Sequence, residues 1–210
     1  MNSTLNYYHN MADQLMKRYI QADTNLLHHQ LAGFFEPKSK ILEVGCGSGK
    51  DADFMLANGY DILAIDASQS MLMGAVKNFP KLTGHTRLII VPDELQKLEP
   101  QSFDGIYSIA MLMHLKENQI NKALHELTRL LKNSGRLFFS VCLTRNDKLV
   151  DDLDPDGRRY TLRSAEWWQG TCRTAGLNII KTDISDDRLG RSKIQWLNLY
   201  CSKPTPRAAS

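Results

Sequence analysis

The sequence predicts an α/β fold built on a doubly wound, mostly parallel sheet, and three observations carry that expectation. Short apolar runs bounded by glycines alternate with amphipathic stretches of helical length. A glycine-rich turn, Gly45-Cys46-Gly47-Ser48-Gly49, joins the first of these runs to the helix that follows it. With 210 residues, 42% hydrophobic and 23% charged, the chain can cover both faces of such a sheet within one large domain.

Leu15, Tyr19, Ala22 and Leu26, continued by Leu27 and Leu31, have helical spacing, so residues 1–37 should form helices. Asp23-Thr24 suits the start of a second helix, and Glu36-Pro37 suits its end. Ile41-Leu42-Glu43-Val44 reads as a buried strand, and 50–58 as a helix with Asp51 and Asp53 at its positive end and Gly59 as its left-handed stop. A second strand follows at 61–65. Ser68 caps a helix that runs to Phe79, where Pro80 ends it. Third and fourth strands are expected at 88–91 and 105–109. Ile120, Ala123, Leu124, Leu127 and Leu131 make an amphipathic helix that Gly135 should close, ahead of a fifth strand at 137–141. After a charged loop over 144–159 come a helix at 164–175, stopped by Gly176, and two strands at 177–183 and 193–201. The charged turn between those strands contains Gly190, and with no helix between them they should form an antiparallel hairpin at the sheet edge, making seven strands. The expected organisation is a helical lid over 1–37, one domain over 38–203 and a loose tail over 204–210.

Composition narrows the function. The net charge of +3 is spread along the chain, which does not suggest a nucleic-acid surface. No apolar run approaches the length of a membrane span, and residues 1–10 do not read as a secretory signal. Cys46, Cys142, Cys172 and Cys201 form no C-x-x-C pair, so the expectation is four reduced thiols, no metal and a cytoplasmic location.

The chemistry centres on the glycine turn. Glycines at 45, 47 and 49 let backbone approach a ligand, and Asp66 ends the second strand, where a carboxylate can accept from both ribose hydroxyls. A dinucleotide fingerprint would put a third glycine where Lys50 stands, and Asp51 and Asp53 place negative charge where a pyrophosphate would sit. A nucleoside without phosphate fits better.

These residues resemble the class I S-adenosylmethionine-dependent methyltransferases, in particular their type-11-like members. The likeness runs from Glu43 and the glycine turn through the segment 64–72, Asp93-Glu94-Leu95 and the segment 102–108 to 131–137. It implies a Rossmann-like fold and S-adenosylmethionine as cofactor. By the resemblance Glu43, Gly45, Gly47 and Gly49 belong to the cofactor turn, with Gly45 and Gly47 at the methionine part and Asp66 on the ribose. Ala67 and Met71 would line the adenine pocket, Asp93 or Glu94 would meet its amino group, and Ile109 and Ala110 would pass beneath the sulfonium.

His114, just after the fourth strand, is the candidate base; the alternative is a packing role. Arg158-Arg159-Tyr160 could contact an anionic substrate or be a solvated loop, and Trp167, Trp168 and Trp196 read as packing rather than base-stacking residues. Tyr7, Tyr8 and Tyr19 belong either to a lid or to plain packing. The expected activity is methyl transfer to a small-molecule acceptor by in-line displacement. An RNA methyltransferase, a nicotinamide-dependent oxidoreductase and a non-catalytic cofactor-binding protein remain as rivals.

Overall fold

The computed structural model describes residues 3–187, 191 and 193–206. Three helices come first, α1 (Ser3–Asn10), α2 (Ala12–Gln21) and α3 (Asn25–Phe34). They are followed by β1 (Lys40–Val44), α4 (Lys50–Ala57), β2 (Asp61–Asp66), α5 (Gln69–Asn78), β3 (Thr86–Leu88) and β4 (Phe103–Ile109). The chain continues with α6 (Glu117–Leu130), β5 (Leu131–Thr144), α7 (Ala165–Thr174), β6 (Asn178–Asp186) and β7 (Gln195–Ser202). The seven strands form one sheet in the order β3-β2-β1-β4-β5-β7-β6, the Rossmann-like arrangement. Strands β1 to β5 pair in parallel, and β7 lies antiparallel to both β5 and β6. The Gly190 turn and residues 207–210 of the expected tail lie outside the described residues.

Alternation along β1 shows how the sheet is covered. Leu42 and Val44 pack into a core with α6 and α7, whereas Ile41 packs on the other face with Leu31, Met55 and Ala75. A smaller cluster of Ala12, Leu15, Met16 and Met71 docks α2 onto α5. Among the described residues no helix is long and apolar enough to cross a membrane.

Three departures from the expected boundaries have clear local causes. The third strand is Thr86–Leu88 rather than 88–91. Ile90 N–H donates to Glu94 Oε2 (2.8 Å) and Glu94 N–H to the Ile90 carbonyl (2.8 Å), a local turn that peels the apolar run away from the sheet. Gly135 does not close α6, which ends at Leu130; it lies in β5, where a Cβ would come 2.8 Å from the Lys132 carbonyl oxygen. The N-terminal region breaks twice rather than once. Thr24 makes no side-chain cap for α3, and Asp23 Oδ1 instead accepts from Asn25 N–H (3.0 Å). Ser68 caps α5 as expected, accepting from Met71 N–H.

Candidate active site

The carboxyl ends of β1, β2 and β4 open into a cavity of about 380 Å³, roofed by α1 and α2. The three glycines of the first turn all have left-handed backbones, with φ of 79°, 51° and 75° at Gly45, Gly47 and Gly49. Their surroundings separate their roles. A Cβ on Gly45 would strike Met111 Cγ at 2.5 Å, and one on Gly49 would strike Leu82 and Ala75 at 2.7 and 2.8 Å. A Cβ on Gly47 would meet nothing closer than Met71 Cε at 3.8 Å. Gly45 and Gly49 are therefore packing glycines as well as turn glycines, while Gly47 presents bare backbone to open space.

Asp66 closes the other side. Its Oδ2 accepts Gly47 N–H (3.0 Å) and its Oδ1 accepts Ser68 N–H (2.8 Å). Burial raises its pKa, and the Ser68, Gly47 and Ala67 amides oppose that rise. A carboxylate has about four lone-pair sites, so the amides leave capacity for a ligand. Glu43 is buried beneath the turn, and burial, reinforced by the Asp51 charge, holds its pKa well above the usual carboxylate range. Its Oε2 has no hydrogen-bond partner although it belongs to a cavity-lining residue. Ala110, also in the wall, has a φ of 56°, a strained conformation for a residue with a Cβ.

Of the residues singled out from the sequence, Glu43, Gly45, Gly47, Asp66, Ala67, Ile109, Ala110 and His114 line this one cavity. Gly49, Met71, Asp93 and Glu94 do not. Met71 is fully buried behind the turn. Asp93 is exposed and paired with Lys122 (2.8 Å), and Glu94 is taken up by Ile90 N–H and Lys97. The wall near Ala67 is instead apolar, made by Ile89, Ile90 and Val91.

The far end of the cavity is aromatic. His114 is buried, with Nδ1 2.5 Å from the Arg159 carbonyl oxygen and Nε2 3.0 Å from Tyr8 Oη. A carbonyl only accepts, so the ring proton sits on Nδ1 and the Tyr8 hydroxyl donates to Nε2. Burial pushes the His114 pKa down to about 4, helped by the Arg158 and Arg145 charges, so the ring is neutral at pH 7. Tyr19, Tyr160, Trp196 and Arg158 complete this end. Trp168, by contrast, is a core residue.

Sequence reasoning named Tyr8 only as a lid or packing residue and Lys50 only as a departure from a fingerprint; it did not find the Tyr8–His114 pair, the Lys50 tie to α2 or the true setting of Arg158. Lys50 Nζ reaches from the first turn of α4 to the Ile20 and Ala22 carbonyls (2.9 and 2.5 Å) and ties the end of α2 to the glycine turn. Arg158 is not on a solvated loop: its side chain is 12% exposed and paired with Asp154, which is 1% exposed.

The glycine turn and Asp66 at the ends of parallel strands, with a reversed β7 between β5 and β6, belong to a Rossmann-like methyltransferase fold. Residues 41–135, just under half of the chain, match the family described as "Methyltransferase domain". A ubiquinone biosynthesis O-methyltransferase of Alkalilimnicola ehrlichii is 33% identical over 111 residues, 52% of this chain and 43% of the relative. An O-methyltransferase of Pyrenophora dematioidea is 31% identical over 123 residues, 57% of this chain and 43% of the relative. The chain thus spans less than half the length of these two curated relatives. Burkholderia thailandensis 1,6-didemethyltoxoflavin-N1-methyltransferase, solved with 1,6-didemethyltoxoflavin and S-adenosylhomocysteine, superposes with a TM-score of 0.73 at 16% identity, over 96% of this chain and 88% of that one.

Proposed function

We propose that the protein binds S-adenosylmethionine and transfers its methyl group to a small-molecule acceptor. The observation that carries this reading is Asp66, a half-buried carboxylate at the cavity wall, tied to the glycine turn through Gly47 N–H and keeping lone-pair capacity for a ligand. Asp66 would hold the ribose, Gly45 and Gly47 the methionine part, and Ala67 with Ile89 to Val91 the adenine face. The open space at Gly47 leaves its backbone accessible to a ligand. Asp51 lines the cavity at the start of α4, and its charge disfavours the pyrophosphate that a nicotinamide cofactor would bring.

When bound, the cofactor supplies an electrophilic methyl group on a sulfonium. The protein's part is alignment and exclusion of water, which can contribute about 7–11 kcal/mol. Residues 1–37 act as the lid, since Thr4, Leu5, Tyr8, Tyr19 and Leu27 roof the cavity. His114 is the catalytic candidate in partnership with Tyr8. Because its ring fixes the Tyr8 proton, the Tyr8 lone pairs are left to receive the acceptor's O–H or N–H. As the acceptor's proton passes to Tyr8 Oη, the Tyr8 proton passes to His114 Nε2. A neutral imidazole also adds no positive charge beside the sulfonium. Small-molecule acceptors are supported by the activity of the ubiquinone biosynthesis O-methyltransferase relative. A cytoplasmic location is supported by four cysteines that are all buried and unpaired.

Isothermal titration calorimetry with S-adenosylhomocysteine tests the reading. Binding is expected, and Asp66→Ala should weaken it at least tenfold; an unchanged affinity in that variant rejects the site.

A further inference from the structure

The geometry points to the chemical class of the acceptor: a small planar ring bearing an anionic group, which docks on the free edge of Arg158. This rests on the cofactor reading above and concerns the other end of the same cavity.

Arg158 is held in place on two sides. Its Nε and Nη2 face Asp154 Oδ2 at 2.8 and 2.6 Å, and its guanidinium carbon lies 4.6 Å from the centre of the Tyr7 ring and 5.5 Å from that of Tyr160. Nη1 has no hydrogen-bond partner among the described residues, and it is not among the side-chain atoms sealed from any probe. A fork held by a buried carboxylate, with one amine spare and the residue lining a cavity, is a preorganised anion anchor.

A second guanidinium lies close by, and Asp156 also reaches Nη2 of Arg158 at 3.4 Å, leaving Nη1 as the open edge. Arg145 lies 3.7 Å from the centre of the Tyr160 ring, on the same tyrosine that Arg158 contacts. The two arginines disfavour the imidazolium of His114, and Arg158 favours ionisation of Tyr8, Tyr19 and Tyr160. The counter-charges Asp147 and Asp154 point at the guanidinium groups themselves. An ammonium acceptor would be repelled by the open edge of Arg158, and the Tyr160 face already carries two arginines. A carboxylate or phenolate would be drawn in. Tyr8, Tyr19, Tyr160, Trp196 and His114 supply flat apolar surface for a ring. The cavity volume of about 380 Å³ is near the lower end for a drug-sized ligand, so beside a nucleoside there is room for only a small acceptor.

The test uses the full chain saturated with S-adenosylhomocysteine and titrated calorimetrically with benzoate, benzamide, benzylamine and cyclohexanecarboxylate. Benzoate should bind at least tenfold more tightly than the other three, and Arg158→Gln should abolish that preference. Arg158→Lys keeps a charge opposite Asp154 and serves if the glutamine variant does not fold; its benzoate preference should fall at least threefold. Failure of benzoate to bind, equal or tighter binding of any other probe, or an undiminished preference in either folded variant overturns the inference. So does an Arg158 variant that weakens S-adenosylhomocysteine but not 5′-methylthioadenosine, because Arg158 would then hold the cofactor's carboxylate. A wild-type chain that does not bind S-adenosylhomocysteine at all refutes the cofactor reading instead, and the inference falls with it.

Discussion

Replacing Gly47 and Gly49 separately by alanine distinguishes a ligand-facing glycine from a packing one. Both have left-handed backbones, with φ of 51° and 75°, so each alanine costs about 1–2 kcal/mol in backbone strain. For Gly47→Ala the added methyl meets nothing closer than 3.8 Å, and the strain is the whole stability cost. For Gly49→Ala the methyl would lie 2.7 Å from Leu82 Cδ1 and 2.8 Å from Ala75 Cβ, one of them rooted on the neighbouring helix. Overpacking of that kind costs about a further 1–3 kcal/mol. In a chain of this size about 2–4 °C of Tm is lost per kcal/mol. Differential scanning calorimetry should therefore show a small fall for Gly47→Ala and a clearly larger one for Gly49→Ala. Affinity for S-adenosylhomocysteine should run in the opposite order: Gly47→Ala loses at least tenfold, and folded Gly49→Ala loses much less. Wild-type affinity in Gly47→Ala, or equal stability of the two variants, refutes the division of roles.

Three further outcomes are expected. The folded His114 pKa of about 4 lies below the unfolded value of 6.5, so the unfolded chain takes up a proton that the folded one refuses. Stability from this group is complete above pH 6.5 and falls by about 3 kcal/mol towards pH 4; urea denaturation of His114→Gln should lack that decline when compared with wild type at each pH. Lys50→Met removes two bonds to the end of α2, costing about 1–3 kcal/mol, and hydrogen exchange should quicken in α1 and α2 while β1 and β4 stay protected. Asp154→Ala removes the main partner of Arg158 and the acceptor of the Asp156 and Arg158 amides, and should cost about 1–3 kcal/mol in chemical denaturation, whereas Asp93→Ala, at an exposed pair, should change stability little.

The fold was legible because its signals are local. Gly59 and Gly176 sit just beyond helices with φ of 84° and 85°, Ser68 caps α5, and each βα unit repeats an apolar run and a stripe. The third strand was misplaced because Ile89, Ile90 and Val91 are apolar for a different reason: they face the cavity. Met71 carried a cofactor-lining expectation from its motif position, but α2, a segment remote in sequence, covers it. Arg158 looked solvated because nothing in a charged loop shows that Asp154, four residues earlier, is buried. Lys50 registered only as a departure from a dinucleotide fingerprint; its tie to α2 depends on where that helix docks.

On the proposed reading, the two ends of the cavity differ in legibility because they would recognise ligands by different means. The cofactor end works through backbone, and backbone that must turn left-handed needs glycines at fixed positions, so Gly45, Gly47 and Asp66 leave a pattern within two dozen residues. The acceptor end works through side chains on elements far apart in the chain: Tyr8, His114, Arg158 and Trp196. Topology brings them together. Strands β1, β2, β4 and β5 end at the cavity, and β7 runs the other way, so its beginning reaches the same edge. Asn198 pairs with Ser140 and Trp196 with Cys142, which places the start of the reversed strand beside the end of β5. Substitutions at Trp196, Arg158 or Tyr8 can therefore reshape the acceptor space without touching the Asp66–Gly47 contact, and the choice of acceptor is separable from the grip on the cofactor.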